Sequence, residues 1–209
     1  MEKFLIHSGV AAPLLRVNID TDAIIPSREM KLVSKKGLGE GLFAGWRYTE
    51  AGGRTPNPGF VLNQPGYKGA TILLSGRNFG CGSSREHAVW ALAEYGIRAI
   101  IAPSFGVIFQ GNCERNGILP IVLPETVVQS LATQVAADPQ SQRLTIDLQQ
   151  QSVIDPQGTA HAFDIAPSSR QMLLEGLDQI GLTLNRLDRI EAFERDFRER
   201  RPWLFATNP

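Results

Sequence analysis

The sequence has few of the residues that mark several common classes of protein. It contains only two cysteines, Cys81 and Cys113, in 209 residues. An iron–sulfur cluster generally needs three or four cysteine ligands, so this chain cannot hold a cluster alone. Two cysteines so far apart give no disulfide framework either, and we expect no structural disulfide in a reducing compartment.

Excess charge and long apolar runs are also missing. Lysine plus arginine and aspartate plus glutamate number 21 each, so no net charge attracts nucleic acid or an acidic membrane. No apolar run approaches the ~20 residues of a membrane span, and the first seven residues lack the apolar region of a signal peptide. The hydrophobic content of 43% is ordinary for a globular protein. We therefore expect a cytoplasmic protein without nucleic-acid or membrane partners.

Apolar runs in the middle of the chain predict an α/β fold with a mostly parallel sheet. Strands are predicted at 71–75, 98–102 and 118–123, and helices at 84–95, 105–116 and 125–137. Strands and helices alternate here, which gives two successive βαβ crossovers and hence a parallel sheet. A further strand is predicted at 4–10.

The remaining segments are predicted to complete one domain over residues 1–209. Asp155-Pro156-Gln157-Gly158 is typical of a β-hairpin turn, with strands near 143–148 and 159–164. A charged C-terminal helix is predicted at 186–200, with an apolar stripe of Leu187, Ile190, Phe193 and Phe197. Residues 37–69 carry several glycines and prolines, so we expect an irregular, mobile loop region there.

One glycine- and serine-rich turn is the most informative part of the chain. It follows the predicted strand at 71–75 and reads Asn-Phe-Gly-Cys-Gly-Ser-Ser-Arg-Glu-His from Asn78 to His87. Such a strand-to-helix turn directs backbone N–H groups and the positive end of the helix dipole at one spot. Arg85 adds a planar fork suited to a carboxylate or phosphate. Gly80 and Gly82 leave room for a ligand to approach. The turn therefore predicts an anion site.

The turn is open to other interpretations. Ser83-x-x-Glu86 is also a capping box, which would need no chemistry, but it would not need both serines, Arg85 or His87. The spacing is neither a P-loop nor a dinucleotide-binding fingerprint, because no Gly-Lys-Ser/Thr and no third glycine follow. Cys81 with His87 is an alternative nucleophile pair, since a helix N-terminus lowers a thiol pKa.

The run from Asn78 to His87 resembles the signature of the 3-isopropylmalate dehydratase small-subunit family. It is also similar to the swivelling domain of aconitase-type hydro-lyases. The segment Asn-Ile-Asp-Thr-Asp-Ala-Ile-Ile-Pro at 18–26 resembles a second family signature, and matches continue at 43–58, 102–112 and 176–183. The resemblance implies a single swivelling domain of the aconitase type, although Glu29, Met30 and Val89 depart from the commoner family residues.

The resemblance also implies an activity and a partner. The family isomerises 2-isopropylmalate and 3-isopropylmalate, small dicarboxylates of leucine biosynthesis, by removing and re-adding water. A large subunit would carry the 4Fe–4S cluster, in a heterodimer or heterotetramer, and this chain would bind no metal or other cofactor. Alternatives are a sister hydro-lyase acting on methylmalate, homoaconitate or maleate, and an anion-binding module without catalysis.

Roles for individual residues follow from the same resemblance. Ser83 would be the catalytic base, stabilised by helix-terminal N–H groups and Arg85, and Ser84 with Arg85 would hold a substrate carboxylate. The supporting loop residues would be Gly80, Gly82, Glu86 and His87, with His87 behind the site or at a subunit interface, or alternatively carrying a proton directly. Asp20, Thr21 and Asp22 would contact the large subunit or brace the serine loop, although they also fit a plain turn and helix cap. By position Arg28 is a candidate second carboxylate ligand, and Arg47 is left open as another.

Overall fold

A parallel four-stranded sheet forms the centre of the structure, a computed structural model that describes residues 1–30, 36–82 and 85–205. Its strands are β2 (Ala11–Leu14), β3 (Ile72–Ser75), β4 (Ala99–Ala102) and β5 (Leu119–Val122), in that order and all parallel. Helix α3 (Glu86–Tyr95) connects β3 to β4, and α4 (Val107–Arg115) connects β4 to β5. The predicted βαβ crossovers are confirmed.

Both faces of this sheet are buried, as the continuous apolar runs of β3 and β4 require. Leu73 and Ile100 belong to a core shared with α3 and α4, whereas Ile72 and Ile101 belong to a second core shared with α5 (Glu125–Ala137). Alternate residues of a strand point to opposite faces, so each strand contributes to both cores. The fold is therefore a sheet covered by helices on two sides.

A second four-stranded sheet is antiparallel, so the parallel sheet accounts for half of the described strands rather than most of them. Its order is β1 (Ile6–Gly9), β6 (Leu144–Asp147), β7 (Ser152–Ile154) and β8 (Ala160–Ala162). The predicted turn at 155–158 is confirmed, but it joins β7 to β8, and the strand predicted near 143–148 is β6, which pairs with β1 and β7. Strand β7 was not predicted, because three residues, of which only Val153 is buried, give too short an alternating pattern.

The strand predicted at 4–10 is wrong in extent, because residues 6–14 form two strands that belong to different sheets. Strand β1 pairs with β6 and β2 pairs with β3, and the chain crosses between the sheets at Val10. A Cβ on Gly9 would lie 2.1 Å from Oγ1 of Thr71. A side chain at position 9 would therefore have to displace the side chain of Thr71, just before β3, where the chain changes sheets.

Residues 37–69 pack against the first core instead of standing away from it. The region contains α2 (Ala44–Arg47) and short 3₁₀ turns, and Leu42, Phe43 and Phe60 are buried. The Glu94 carboxylate accepts hydrogen bonds from the N–H groups of Gly37 at 2.6 Å and Gly39 at 2.7 Å. The region is irregular, as predicted, and its mobility stays a prediction.

The C-terminal part contains three helices, of which only the last was predicted. They are α6 (Pro167–Glu175), α7 (Gln179–Leu184) and α8 (Leu187–Arg200). We call residues 178–205 the C-terminal arm. Neither α7 nor α8 contains a buried residue, and Phe193 on the apolar stripe of α8 is 64% exposed. Within the described ranges, no helix combines the length and apolarity needed to cross a membrane.

Candidate active site

The predicted anion site lies where three loops meet at one edge of the parallel sheet. These loops follow the carboxyl ends of β2, β3 and β4 and span residues 15–20, 76–82 and 103–106. Ligands of α/β proteins characteristically bind outside the carboxyl ends of parallel strands. We call residues 76–82 the central loop, because the other two loops lie on either side of it.

Backbone hydrogen bonds join the central loop to the loop after β2. The N–H of Asn18 donates to the carbonyl of Arg77 at 2.9 Å, and the N–H of Gly80 donates to the carbonyl of Ile19 at 2.7 Å. The side-chain amide of Asn78 also donates to Oδ1 of Asn18 at 2.8 Å. Both asparagines have positive φ angles, of 55° and 60°, which asparagine tolerates better than most residues.

The other side of the central loop is held by the loop after β4. The N–H of Phe79 donates to the carbonyl of Ser104 at 3.1 Å, and the N–H of Gly106 donates to the carbonyl of Phe79 at 2.9 Å. The hydroxyl of Ser104 accepts a bond from the N–H of Asn78 at 2.9 Å. The central loop is therefore fixed by its own backbone from both neighbours, without help from a ligand.

Gly80 serves packing rather than ligand access, which corrects the expectation drawn from the sequence. Its φ is +72°, and a Cβ there would lie 2.1 Å from Cγ of Phe109 on α4. The ring of Phe109 in turn packs against the fully buried Phe79, with centroids 5.4 Å apart. Gly82 differs, because its added Cβ would make ordinary contacts with Cβ of Asp20 at 3.4 Å and Oγ1 of Thr21 at 4.0 Å, and its φ of +89° is what favours glycine.

The residues predicted either to cap a helix or to brace the serine loop do both, since Asp20 caps a helix and Thr21 contacts the central loop. Oδ1 of Asp20 accepts a bond from the N–H of Ala23 at 2.7 Å and so caps the short helix α1 (Thr21–Ile24). The N–H of the buried Thr21 donates to the carbonyl of Cys81 at 3.1 Å. The segment that carries the second predicted signature thus lies directly against the central loop. Contact with a large subunit stays a prediction.

Arg85 is bound to Asp22 and Ser27 of the same segment. Its Nη1 forms an ion pair with Oδ1 of Asp22 and donates to Oγ of Ser27 at 3.0 Å. Ser27 also donates to Oδ1 of Asp22 at 3.3 Å. The side chain of Arg85 keeps 31% of its surface exposed, so it is only partly buried. The sequence did not single out Ser27, because no local pattern reports a contact across 58 residues.

Glu86 binds across to the end of α4. Its Oε1 accepts a bond from the side-chain amide of Asn116 at 2.9 Å, and Oδ1 of Asn116 accepts from the indole N–H of Trp90 at 3.0 Å. Helix α3 begins at Glu86, so this residue is at the first helical position and not at the third, where a capping box needs it. The half-buried ring of His87 lies 4.8 Å from that of Trp90.

Ser83 and Ser84, the predicted base and carboxylate ligand, lie outside the described residues. Of their neighbours, Gly82 ends the described part of the central loop, and Arg85 is paired with Asp22.

The remaining candidates are held by the protein itself. Arg28 lies 3.4 Å from the carboxylate of Glu29. Arg47 donates to the carbonyl of Gly39 at 2.8 Å and to the hydroxyl of Tyr48 at 2.5 Å, so it anchors the 37–69 region.

The two cysteines lie in different surroundings. Cys113 is fully buried in the first core, and burial raises the pKa of its thiol well above the ordinary value. Cys81 lies half-buried in the central loop. Within residues 1–30, 36–82 and 85–205, no group of three or more histidine, cysteine, aspartate or glutamate side chains could hold a metal ion.

Comparison with protein-family models matches three consecutive parts of the chain. Residues 1–126 match the aconitase C-terminal domain, 129–167 match a model described as LeuD_N, and 180–207 match the C-terminal domain of the 3-isopropylmalate dehydratase small subunit. The first of these alone covers more than half of the chain.

Whole-chain comparisons point the same way. The chain is 63% identical to the 3-isopropylmalate dehydratase small subunit of Cupriavidus necator, over 98% of both chains. It is 54% identical to the protein of that name from Methylibium petroleiphilum, over 99% of both. A crystal structure of 3-isopropylmalate dehydratase (leuD) from Methanocaldococcus jannaschii superposes with a TM-score of 0.65 at 25% identity, covering 90% of this chain and 99% of that one. The expected aconitase-type α/β fold is confirmed.

Proposed function

The chain belongs to the family of 3-isopropylmalate dehydratase small subunits, and we propose that it forms, with a large subunit, the hydro-lyase that interconverts 2-isopropylmalate and 3-isopropylmalate in leucine biosynthesis. The observation that carries the proposal is Arg85, whose partly buried side chain is held at the carboxyl edge of a parallel sheet next to a fixed, glycine-containing turn. A dicarboxylate substrate needs such a cation, and a charge-assisted bidentate contact also fixes its orientation.

The cofactor would come from the partner. Cys113 lies in the core with a raised thiol pKa, and Cys81 alone cannot ligate a cluster, so the residues of this chain do not fit one. We infer that the 4Fe–4S cluster is held by the large subunit, in a heterodimer or heterotetramer. That cluster would supply the Lewis acid that binds the departing hydroxyl. We place the complex in the cytoplasm.

This chain would bind one carboxylate and move one proton. Arg85, with Ser84, would hold a substrate carboxylate, so that the alkene intermediate is rehydrated with fixed regiochemistry. Ser83 would remove the C–H proton adjacent to that carboxylate. A serine hydroxyl is a weak base, and it can serve only where N–H groups and a guanidinium stabilise its alkoxide. The start of α3 and Arg85 are groups of that kind.

The proposal is tested by reconstitution with the large subunit. We expect the purified chain alone to be folded, colourless and inactive, and the two-subunit complex to hydrate isopropylmaleate. Ser83→Ala should reduce turnover by ~10²-fold or more with little change in substrate affinity. Ser168→Ala, on an exposed serine of α6, is the matched control and should change nothing.

Two results would contradict the proposal. Turnover by the chain alone, or a brown chromophore that copurifies with it, would exclude the two-subunit assignment. Near-normal turnover of Ser83→Ala would exclude Ser83 as the base. A complex that prefers methylmalate, homoaconitate or maleate would keep the reaction class and change the substrate.

A further inference from the structure

Asp22 and Ser27 contact Arg85 through only one of its three nitrogens. Nη1 forms the ion pair with Asp22 and the hydrogen bond to Ser27. Among the residues that the structure describes, no hydrogen bond or ion pair reaches Nε or Nη2 of this arginine. The guanidinium is therefore bound along one side and open along the other.

This asymmetry decides how a carboxylate can bind. A guanidinium carries five N–H donors, two of them on Nη1. Two acceptors, Oδ1 of Asp22 and Oγ of Ser27, occupy the donors of Nη1. The end-on fork, which needs Nη1 together with Nη2, is thereby blocked. The side-on fork of Nε and Nη2 keeps both of its donors, and it is as well suited to two parallel bonds to a carboxylate.

The same segment also holds the chain on the other side of the two serines. Thr21 binds the carbonyl of Cys81, two residues before Ser83, and its neighbour Asp22 binds Arg85, one residue after Ser84. Residues 20–27 thus fix both flanks of the serine pair to one short element, α1 and the turn that follows it. A displacement of Asp22 would therefore move Arg85, which it contacts directly.

We propose that Asp22 and Ser27 are positioning residues that hold Arg85 by Nη1, so that its Nε–Nη2 edge receives a substrate carboxylate. The proposal rests on the proposed function, because it takes a dicarboxylate as the ligand of Arg85. It adds the edge of the guanidinium that binds the ligand and the two side chains that select that edge.

An opposite role for Asp22 is physically reasonable and must be separated from this one. A carboxylate so close to the guanidinium could compete with the substrate, and its charge would repel a dianion. Its contact is made by one oxygen with one nitrogen, however, so within the part of the chain that the structure describes Nε and Nη2 have no hydrogen-bond or ion-pair partner. Asp22 therefore orients Arg85 without taking the place of the substrate.

The kinetic test uses the reconstituted two-subunit enzyme. Asp22→Ala should raise KM by about 10-fold or more with a smaller change in kcat, because the lost orientation weakens binding of the substrate carboxylate. Asp22→Asn keeps the acceptor oxygen and should restore KM to within about 3-fold of the parent enzyme. Ser27→Ala should raise KM less than Asp22→Ala. Asp164→Ala, at an exposed aspartate before α6, is the matched control and should leave KM unchanged.

A double-mutant cycle separates positioning from general stabilisation. If Asp22 acts through Arg85, then Asp22→Ala should have little further effect in an Arg85→Lys background. Additive effects, or a lower KM in Asp22→Ala, would overturn the proposal, the second because it would identify Asp22 as a competitor.

A readout without turnover keeps this inference distinct from the proposed function. In ¹⁵N NMR spectra of the purified chain, the Arg85 guanidinium should show hindered rotation that Asp22→Ala releases and Asp22→Asn largely keeps. Free rotation in the parent chain would overturn the positioning role even if the enzyme is active. An inactive complex with a hindered, Asp22-dependent Arg85 would instead contradict the proposed function alone.

Discussion

The central loop and the C-terminal arm both lie at the surface, but they are held in opposite ways. The central loop is bonded through its backbone to the loops on both sides, and Phe79 within it is fully buried. The arm has no buried residue in α7 or α8, and it leaves an open cleft of about 1050 Å³ beside α6, with Phe193 and Ile190 in its lining. The central loop is therefore held by more hydrogen bonds and buried contacts with the rest of the protein than the arm is.

This difference shows that a segment at the surface can be firmly held, as the central loop is, or weakly held, as the arm is. The substrate site proposed at the central loop would require a fixed shape, because a ligand site must be preorganised before the ligand arrives. The arm keeps an amphipathic helix without a buried residue, and on its apolar stripe Leu187 is 44% exposed and Phe193 is 64% exposed. Mutations in the two regions should therefore differ sharply in their effect on stability.

The largest effect is expected for Gly80→Ala. The new methyl group would clash with the ring of Phe109, and alanine is strained at a φ of +72°. We expect a loss of ~3 kcal/mol or more in the free energy of unfolding, measured by urea denaturation. Gly158→Ala in the hairpin turn is the control, because its φ is +87° but no atom lies within 4 Å of the added carbon. It should cost only ~1–2 kcal/mol, and equal losses would refute the packing role of Gly80.

The hairpin turn is an intermediate case, since one side chain holds it. Oδ1 of the buried Asp155 accepts bonds from the N–H groups of Gln157 at 3.0 Å and Thr159 at 2.8 Å, and Oδ2 is within reach of Gln134 and His161. Asp155→Ala should cost ~1–3 kcal/mol, because these donors lose their partner.

The shifted pKa of Asp155 makes the stability of the protein depend on pH. Burial alone would raise the pKa of Asp155, but the hydrogen bonds from Thr159, Gln134, His161 and Gln157 outweigh it and lower that pKa. Its contribution to stability is therefore present above the unfolded-state pKa of about 3.9 and lost as the pH falls through the lower folded value. The stability difference between the parent chain and Asp155→Asn should narrow as the pH is lowered from 7 to 3. A constant difference would mean that the charge of Asp155 contributes nothing.

A smaller effect is expected at the start of α3, where the central loop leads into the helix. Asn116→Ala removes the acceptor of the Trp90 indole and the donor to Glu86. We expect a loss of ~1–2 kcal/mol and a shift in Trp90 fluorescence as the indole N–H loses its partner. Asn185→Ala, on the arm, removes a 3.2 Å bond to Glu175 and should cost less. A larger loss of stability for Asn185→Ala than for Asn116→Ala would contradict the contrast between the central loop and the arm.

The smallest effect is expected for Phe193→Ser in α8. Phe193 is 64% exposed, so its removal should change the free energy of unfolding by less than about 0.5 kcal/mol. Phe79→Ser is the matched change at a fully buried phenylalanine and should cost several kcal/mol, on the order of the 3–5 kcal/mol typical of buried Phe→Ala. A loss of more than about 1 kcal/mol for Phe193→Ser would show that the arm packs against the body.

Much of the fold could be predicted because its signals are local. The strands at 72–75 and 99–102 and the helices between them follow from apolar runs, periodicity and a terminal glycine at Gly96, whose φ is +107°. Helix α6 also had a local signal that was missed, with Pro167 at its first position and Gly176 after its end.

The parts that could not be predicted depend on residues far apart in sequence. Gly9 marks a crossing between sheets only because Thr71 lies against it, and Ser27 belongs to the site only because Arg85 reaches it. Gly80 suggests room for a ligand in the sequence, but in the structure Phe109 fills that space. The roles of Ser83 and Ser84 come from the family resemblance and stay predictions.

The pairing of the first strand has a consequence for synthesis of the protein. Among the described strands, β1 pairs only with β6, so His7 cannot form its strand pairing until Ile146 has been synthesised. Strand β2 can pair as soon as β3 has been made. At ~5–20 residues per second, a ribosome needs on the order of ten seconds to make the intervening chain. During that interval the nascent protein presents an unpaired strand edge, which is a template for aggregation. The demand for chaperones should therefore be greatest after the parallel sheet has formed and before residue 147 has left the exit tunnel.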